Sequence, residues 1–254
     1  MKRYTLLIYL LAVAGLGMLR AQENSDVLFE KANAAYNVGN YDSAMILYEK
    51  ILATDMESVP LYFNMGNTYY KMREYPMAIY YFEKALKLDP SNDDVQTNLA
   101  IANRAIVDKI EPVPQSFLVK GWHNARAMLS GDQWAWCSIA CFALLLFAAF
   151  LFLRSRKVAV RKLGFFAGIL FLLAFGLSVV FAVQLKQSSL TQDQAIIMAP
   201  TVTVKSSPND ASVDLFVLHE GTKVDILEAN EGWNKIRIAN GSVGWLSDDS
   251  MLPF

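Results

Sequence analysis

The chain has 254 residues, of which 54% are apolar, and a formal net charge of −1. This length allows two small domains and membrane segments, but not a single large catalytic domain with a deep core. The charges are segregated, because residues 22–111 hold 8 basic and 14 acidic residues while residues 186–254 hold 5 and 9. Neither region offers the basic patch that a nucleic-acid-binding domain requires.

The first residues have the pattern of an export signal. Lys2 and Arg3 precede an apolar stretch over residues 4–19, and Ala21 provides a small residue at which cleavage can occur. We therefore predict a signal peptide over residues 1–21. If it stays uncleaved, it acts as a further anchor and leaves the rest of the topology unchanged.

A repeat of 34 residues follows. The unit 25–58 shares nine identical positions with the unit 59–92. Small residues at Gly66 and Ala78 would let two helices approach closely, and large aromatic residues at Tyr69 and Phe82 would fill the space between them. The second unit resembles the tetratricopeptide family at these positions: Tyr62, Met65, Gly66, Tyr69, Ala78, Phe82, Ala85 and Pro90. We predict an all-α tetratricopeptide repeat domain over residues 22–115, with a capping helix over residues 93–110.

The resemblance implies a concave groove, lined by the first helix of each unit, in which such domains usually hold partner proteins. Both units place an asparagine there, and an asparagine amide both donates to and accepts from an extended peptide backbone. A lysine in the second unit is suited to meet an acidic group of the partner. The alternative is that these residues are ordinary repeat residues, inherited by duplication. The candidate partner-binding residues are Phe29, Asn33, Tyr36, Phe63, Asn67, Tyr70 and Lys71.

Two uncharged runs predict a transmembrane hairpin. The segments 134–153 and 163–185 are each long enough to cross a bilayer. The loop 154–162 between them carries five positive charges, so we place it in the cytoplasm. Both flanking domains then lie in the periplasm, which is also where the signal peptide directs them. The connector 116–133 is either a collar lying in the membrane lipid or a simple extension of the first span.

In residues 194–254, apolar and polar residues alternate with a period of two. Alternating segments such as Thr201–Val204 and Lys235–Ile238 are separated by turn pairs such as Glu231-Gly232. The elements Gly221–Val224, Gly232–Ile236 and Gly244–Leu246 resemble the bacterial SH3-like family, which implies a small all-β barrel. Trp233 and Trp245 are candidates for an aromatic binding strip, and the alternative places at least one of them in the core.

Nothing in the sequence points to an enzyme, a cofactor or a metal. The glycines form no phosphate-binding loop. The two histidines, His123 and His219, have no second ligand at a spacing typical of metal sites.

The order of these modules resembles the BatE-like family of the Bacteroides aerotolerance (Bat) group. The resemblance implies a non-enzymatic scaffold in a periplasm-facing inner-membrane complex, linked to oxidative stress. Its partners would be other Bat proteins that bear von Willebrand-type domains. An alternative of another class is an envelope sensor or tether whose SH3-like domain binds peptidoglycan.

Overall fold

The computed structural model describes residues 25–111, 113–114, 116–190 and 193–254. The predicted signal peptide, residues 1–21, lies outside the described residues. The described part forms a helical region, a pair of long apolar helices and an antiparallel sheet.

The helical region contains five helices that follow the predicted repeat. They are α1 (25–37), α2 (Tyr41–Leu52), α3 (Val59–Met72), α4 (Tyr75–Leu88) and α5 (Asp93–Asn103). The side chains of Asn40, Ser58 and Asn92 accept hydrogen bonds from the first turns of α2, α3 and α5. Such caps satisfy backbone donors that have no partner inside the helix, and so they fix where each helix begins.

The turn that joins the two helices of a unit is the same in both units. Gly39 and Arg73 adopt the left-handed conformation, with φ of 81° and 66°. The next backbone N–H in each turn, from Asn40 or Glu74, donates to a carbonyl five residues earlier. These bonds satisfy carbonyls at the helix end. The two units therefore share the backbone geometry of this turn, although the second unit has Arg73 where the first has Gly39.

The predicted close approach of α3 and α4 occurs at Gly66. A Cβ added there would lie 2.6 Å from the ring of Phe82, closer than real Cβ contacts allow. Phe82 is fully buried, together with the other large residues of this core: Tyr48, Tyr62, Leu61, Met65 and Ile79. The absence of a side chain at Gly66 is what makes room for that ring.

The capping helix is shorter than predicted. It ends at Asn103 and not at residue 110. The Lys109 ammonium donates to the carbonyls of Asn103 and Ile106, at 2.8 Å each, and so satisfies exposed acceptors beyond the helix end. Residues 104–111 leave the helical path and reach the sheet.

Three helices follow: α6 (Phe117–Arg126), α7 (Gly131–Arg154) and α8 (Val158–Leu190). The connector is not an extension of the first span, because a capping box at Ser130 and Gln133 starts α7 afresh. The helices α7 and α8 pack against each other, and both are long and apolar enough to cross a membrane. A Cβ at Gly164 would lie 2.9 Å from the Ala148 carbonyl oxygen, which shows how closely the two helices approach. Only residues 155–157 of the predicted loop are outside a helix.

The C-terminal region is a seven-stranded antiparallel sheet in the order β3-β2-β6-β5-β4-β1-β7. Its strands are β1 (Gln194–Ile197), β2 (Thr201–Lys205), β3 (Asp214–His219), β4 (Lys223–Asn230), β5 (Trp233–Arg237), β6 (Val243–Ser247) and β7 (Met251–Pro253). Gly221, Gly232 and Gly241 have φ between 84° and 87°, as the predicted turns require. Within the described residues, no pairing joins β3 to β7, so closure into a barrel is not shown.

The sheet shares a core with the repeat helices. Ile196 and Phe254 are buried in the same cluster as Ile79. The Phe254 ring packs edge-on against Tyr80, with ring centroids 5.8 Å apart. The ammonium of Lys223 lies 2.7 Å from a carboxylate oxygen of Glu83 on α4. The two regions therefore form one packed body.

Asp108 is the polar centre of this contact. One oxygen of its carboxylate accepts from the His219 backbone N–H at 2.8 Å and from the Thr222 hydroxyl at 2.7 Å. The other oxygen lies 2.9 Å from Nδ1 of the His219 ring. Burial alone would raise the pKa of Asp108, but these bonds outweigh it and hold the pKa below its ordinary value.

We expect Gly66→Ala to destabilise the helical region by about 1–3 kcal/mol, because the new methyl group overlaps the Phe82 ring. Hydrogen–deuterium exchange of α3 and α4 in the full chain should then speed up. Adding Phe82→Leu should restore part of the loss, because it removes the overlapping ring atoms. The matched control is Gly121→Ala on α6, where nothing lies within 4 Å. Equal exchange in both glycine variants would contradict the close approach.

Removal of the Asp108 carboxylate should loosen the contact between the helices and the sheet. Asp108→Ala leaves the His219 N–H and the Thr222 hydroxyl without their acceptor, at a cost of about 1–3 kcal/mol. Exchange of the His219 amide should accelerate roughly tenfold or more. The exposed Asp249→Ala serves as the control. Unchanged exchange at His219 in Asp108→Ala would mean that the carboxylate does not hold the contact.

The same contact should depend on pH in a defined direction. Because the folded-state pKa of Asp108 is lowered, its contribution is fully present above the ordinary carboxyl pKa of about 3.9 and is lost as the pH falls through the lowered value. Asp108→Ala should remove this part of the acid sensitivity.

Candidate partner-binding surface

A cavity of about 280 Å³ opens between the first helices of the repeats and the helix that follows them. It is lined by Tyr36, Asn67, Tyr70, Lys71, Phe82, Asn98 and Ile101. The helices α1, α3 and α5 supply all but Phe82, which α4 supplies. The cavity thus lies on the face that the repeat pattern predicted to be the groove.

Two tyrosines form its aromatic walls. Tyr36 lies 5.5 Å from Tyr41 between ring centroids, and Tyr70 lies 5.5 Å from Tyr75, with interplanar angles of 58° and 59°. Each pair joins the end of one helix to the start of the next, so the ring that faces the cavity is held by its partner ring. The duplication has produced two equivalent, rigid tyrosines.

Two pairs of asparagine side chains link neighbouring helices of the repeat region, and the second pair lines the cavity. Asn64 donates from Nδ2 to Oδ1 of Asn33 at 2.9 Å, which links α3 to α1. Asn98 donates in the same way to Asn67 at 2.7 Å, which links α5 to α3. In both pairs the residues are 31 positions apart. The Asn67–Asn98 pair is therefore the equivalent, one repeat later, of the Asn33–Asn64 pair.

The Asn67–Asn98 pair leaves hydrogen-bonding groups for a ligand. Within the part of the chain that the structure describes, the Asn67 Nδ2 group and the Asn98 Oδ1 atom have no other hydrogen-bond partner. One is a donor and the other an acceptor, which is what an extended peptide backbone needs. Lys71 is exposed and, among the described residues, makes no ion pair. The cavity therefore offers a donor, an acceptor and a positive charge.

The other predicted groove residues lie outside the lining. Phe29 packs against Tyr48 and Phe63 against Phe82, with ring centroids 6.0 and 6.1 Å apart. Asn33 also accepts from the Tyr48 hydroxyl at 2.7 Å. Burial raises the pKa of Tyr48 to about 12, so that hydroxyl stays protonated and keeps donating. These contacts give Asn33 a role in joining helices.

Three lining residues, Phe82, Asn98 and Ile101, are not among the candidates that the sequence predicts. The repeat pattern predicts Phe82 as a packing residue, and Ile101 lies on the predicted capping helix. The sequence does contain a signal for the role of Asn98, because the spacing of 31 residues from Asn33 to Asn64 recurs from Asn67 to Asn98. Asn67 has two roles, since it lines the cavity and also bonds to the neighbouring helix.

The sheet carries a second candidate surface. Trp233 and Trp245 are both half-buried, and neither belongs to the sheet core. In the register of β5 and β6, Lys235 lies opposite Trp245, and Ser247 lies opposite Trp233. Both tryptophans therefore point to one face, opposite to that of the buried Ile236. The Lys235 ammonium lies 5.9 Å from the Trp245 ring.

Comparison with known proteins supports the prediction of a tetratricopeptide repeat in the helical region. A family model described as tetratricopeptide repeat matches residues 59–92. No curated protein matches the sequence significantly. Residues 59–92, which form α3, α4 and the turn after them, are a tetratricopeptide repeat, a type of module that mediates interactions between proteins.

Proposed function

We propose that this chain is a non-enzymatic, membrane-anchored scaffold that recruits an extended segment of a partner protein into the cavity lined by Asn67, Tyr70 and Lys71. The observation that carries the proposal is the Asn67–Asn98 pair, which lines the cavity and keeps, among the described residues, one donor and one acceptor without a partner. Its aromatic walls add contact area that is already rigid, so little side-chain entropy is lost on binding.

The positive charge at Lys71 favours a partner segment with an acidic residue. The surrounding helical region is acidic overall, so it would repel acidic segments that do not reach this lysine. Lys71, the one cation among the residues that line the cavity, therefore selects for the position of the acidic residue as well as for its charge.

The anchor in this proposal is the hairpin of α7 and α8. Its exposed side chains are large and apolar, among them Trp136, Phe150 and Leu173. The basic residues Arg154 and Arg161 lie at the closed end of the hairpin and favour a cytoplasmic position for that end. In this arrangement the repeat region and the sheet lie together on the periplasmic side of a bacterial inner membrane.

The partners and the cellular process in this proposal are taken from the resemblance of the sequence to the BatE-like family. On that basis the partners are other membrane proteins of the Bat group with von Willebrand-type domains, and the process is tolerance of oxidative stress. The sheet, in this proposal, is a bacterial SH3-like domain.

A second candidate function rests on the tryptophan face of the sheet. Trp233 and Trp245 with Lys235 present aromatic rings beside a cation on one outer face. Aromatic faces with polar neighbours are suited to stack on sugar rings, so peptidoglycan is the ligand in this alternative. Sedimentation with purified cell walls, compared between the natural protein and Trp245→Ala, tests it.

The topology can be tested with a reporter that is active only outside the cytoplasm. Fusions at Glu111 and at Phe254 should be active, and a fusion at Lys157, in the turn between α7 and α8, should be silent. Activity at Lys157 would contradict the proposed orientation of the hairpin.

Loss of the cavity amides should weaken partner capture. Asn67→Ala removes a hydrogen-bond donor worth about 0.5–1.5 kcal/mol, which corresponds to roughly two- to tenfold in affinity. Adding Asn98→Ala should weaken capture further, and Lys71→Glu should weaken it most at low salt. Recovery of partner proteins from detergent-solubilised membranes measures the effect.

Two controls separate binding from folding. Asn37→Ala changes an exposed asparagine outside the cavity and should leave capture intact. Thermal unfolding of Asn67→Ala reports the cost of losing its bond to Asn98. If capture persists in the Asn67, Asn98 and Lys71 variants but Trp245→Ala abolishes it, the sheet is the recruiting surface and the cavity is not.

A further inference from the structure

The helix α6 exposes apolar side chains that nothing in the described structure covers. None of its ten residues is buried. Phe117, Leu118 and Val119 are 81%, 69% and 46% exposed. An isolated helix of ten residues is not stable in water, so α6 needs a surface to pack on.

An aromatic cluster fixes where that surface must be. The ring centroids of Trp122 and Trp134 lie 4.8 and 4.9 Å from that of Phe181, and both rings meet it edge-on. The indole N–H of Trp134 also donates to the Arg126 carbonyl at 3.0 Å, which ties the end of α6 to the start of α7. Phe181 is buried by this packing and lies near the end of the apolar run of α8.

The sequence of α6 separates apolar from polar residues around the helix. Leu118 and Trp122 are four residues apart and share one face, while Lys120 and Asn124 share another. Helices with this pattern, held at the level where a membrane span ends, lie in the boundary between lipid headgroups and acyl chains. Tryptophans are enriched at that same depth.

We infer that the apolar face of α6 lies on the lipid surface beside the hairpin and that its basic residues contact anionic headgroups. The inference rests on the proposed membrane-spanning role of α7 and α8. Lipid is favoured over a protein partner because the apolar face is continuous, through Trp122 and Phe181, with the exposed apolar sides of the hairpin. Lys120 and Arg126 add the attraction to a negative surface that a bilayer supplies.

Site-specific fluorescent probes test this in the full chain. The two cysteines, Cys137 and Cys141, are free thiols and would be replaced by serine. A single probe is then attached at Leu118→Cys, at Asn124→Cys or at Phe142→Cys, and the protein is reconstituted in vesicles of phosphatidylethanolamine and phosphatidylglycerol. Quenching is measured with a nitroxide lipid labelled at shallow depth, a nitroxide lipid labelled at the acyl-chain end, and aqueous iodide.

The expected pattern differs at each position. The probe at 118 should emit at shorter wavelength, be quenched by the shallow lipid and be protected from iodide. The probe at 124 should be quenched by iodide, and the probe at 142 by the deep lipid. A probe at Ala125→Cys, seven residues after Leu118 and on the same face of the helix, should behave like the one at 118. This second position guards against a local effect of a single substitution.

Two other quenching patterns would overturn the inference, and each would show where α6 lies instead. Iodide quenching at 118 would place α6 in water, and protection at 118 from both iodide and lipid would mean that a protein surface covers it. In either case, deep-lipid quenching at 142 would leave the proposed hairpin standing. Absence of lipid quenching at 142 would remove the hairpin and this inference together.

Discussion

The core shared by α4 and the sheet is the contact on which the rest of the arrangement depends. Ile196 and Phe254 are buried among the residues of the repeat helices, so the sheet cannot turn independently of the groove. Asp108 adds hydrogen bonds that only one relative position of the two regions satisfies. Apolar burial provides the attraction, and the directional bonds select the geometry. The groove and the sheet therefore keep one relative position.

The shared core also determines which faces are left for partners. The turn at Gly221 packs against Ile106 and Ile79, so this side of the sheet is occupied by its own chain. The tryptophan face and the cavity of the repeat region remain open. The sheet acts, in physical terms, as the cap that a short repeat array needs at its exposed end.

Local sequence patterns predicted the helices and strands well. They could not predict contacts between residues that are far apart in the sequence. Tyr69 and Phe82 identified paired helices, and the alternation in Lys235–Ile238 identified a strand, because these periodicities are set by the geometry of each element. The helix α5 ends before the predicted residue 110, because Ile106, which keeps the helical spacing, packs on the distant turn at Gly221. Asp108 looked like one more surface acid, and only the approach of His219, 111 residues away, gives it a role.

The helices α7 and α8 lie between the two parts of the chain that build this common core, which sets an order of events during synthesis. The repeat helices emerge first, with the patch around Ile79 and Tyr80 still uncovered. Ile196 is translated only after both of these helices. The helical region therefore keeps this apolar surface exposed until α7 and α8 have been made. A change that delays the synthesis of α7 and α8 or their packing against each other prolongs this interval, even though it alters no residue of the core.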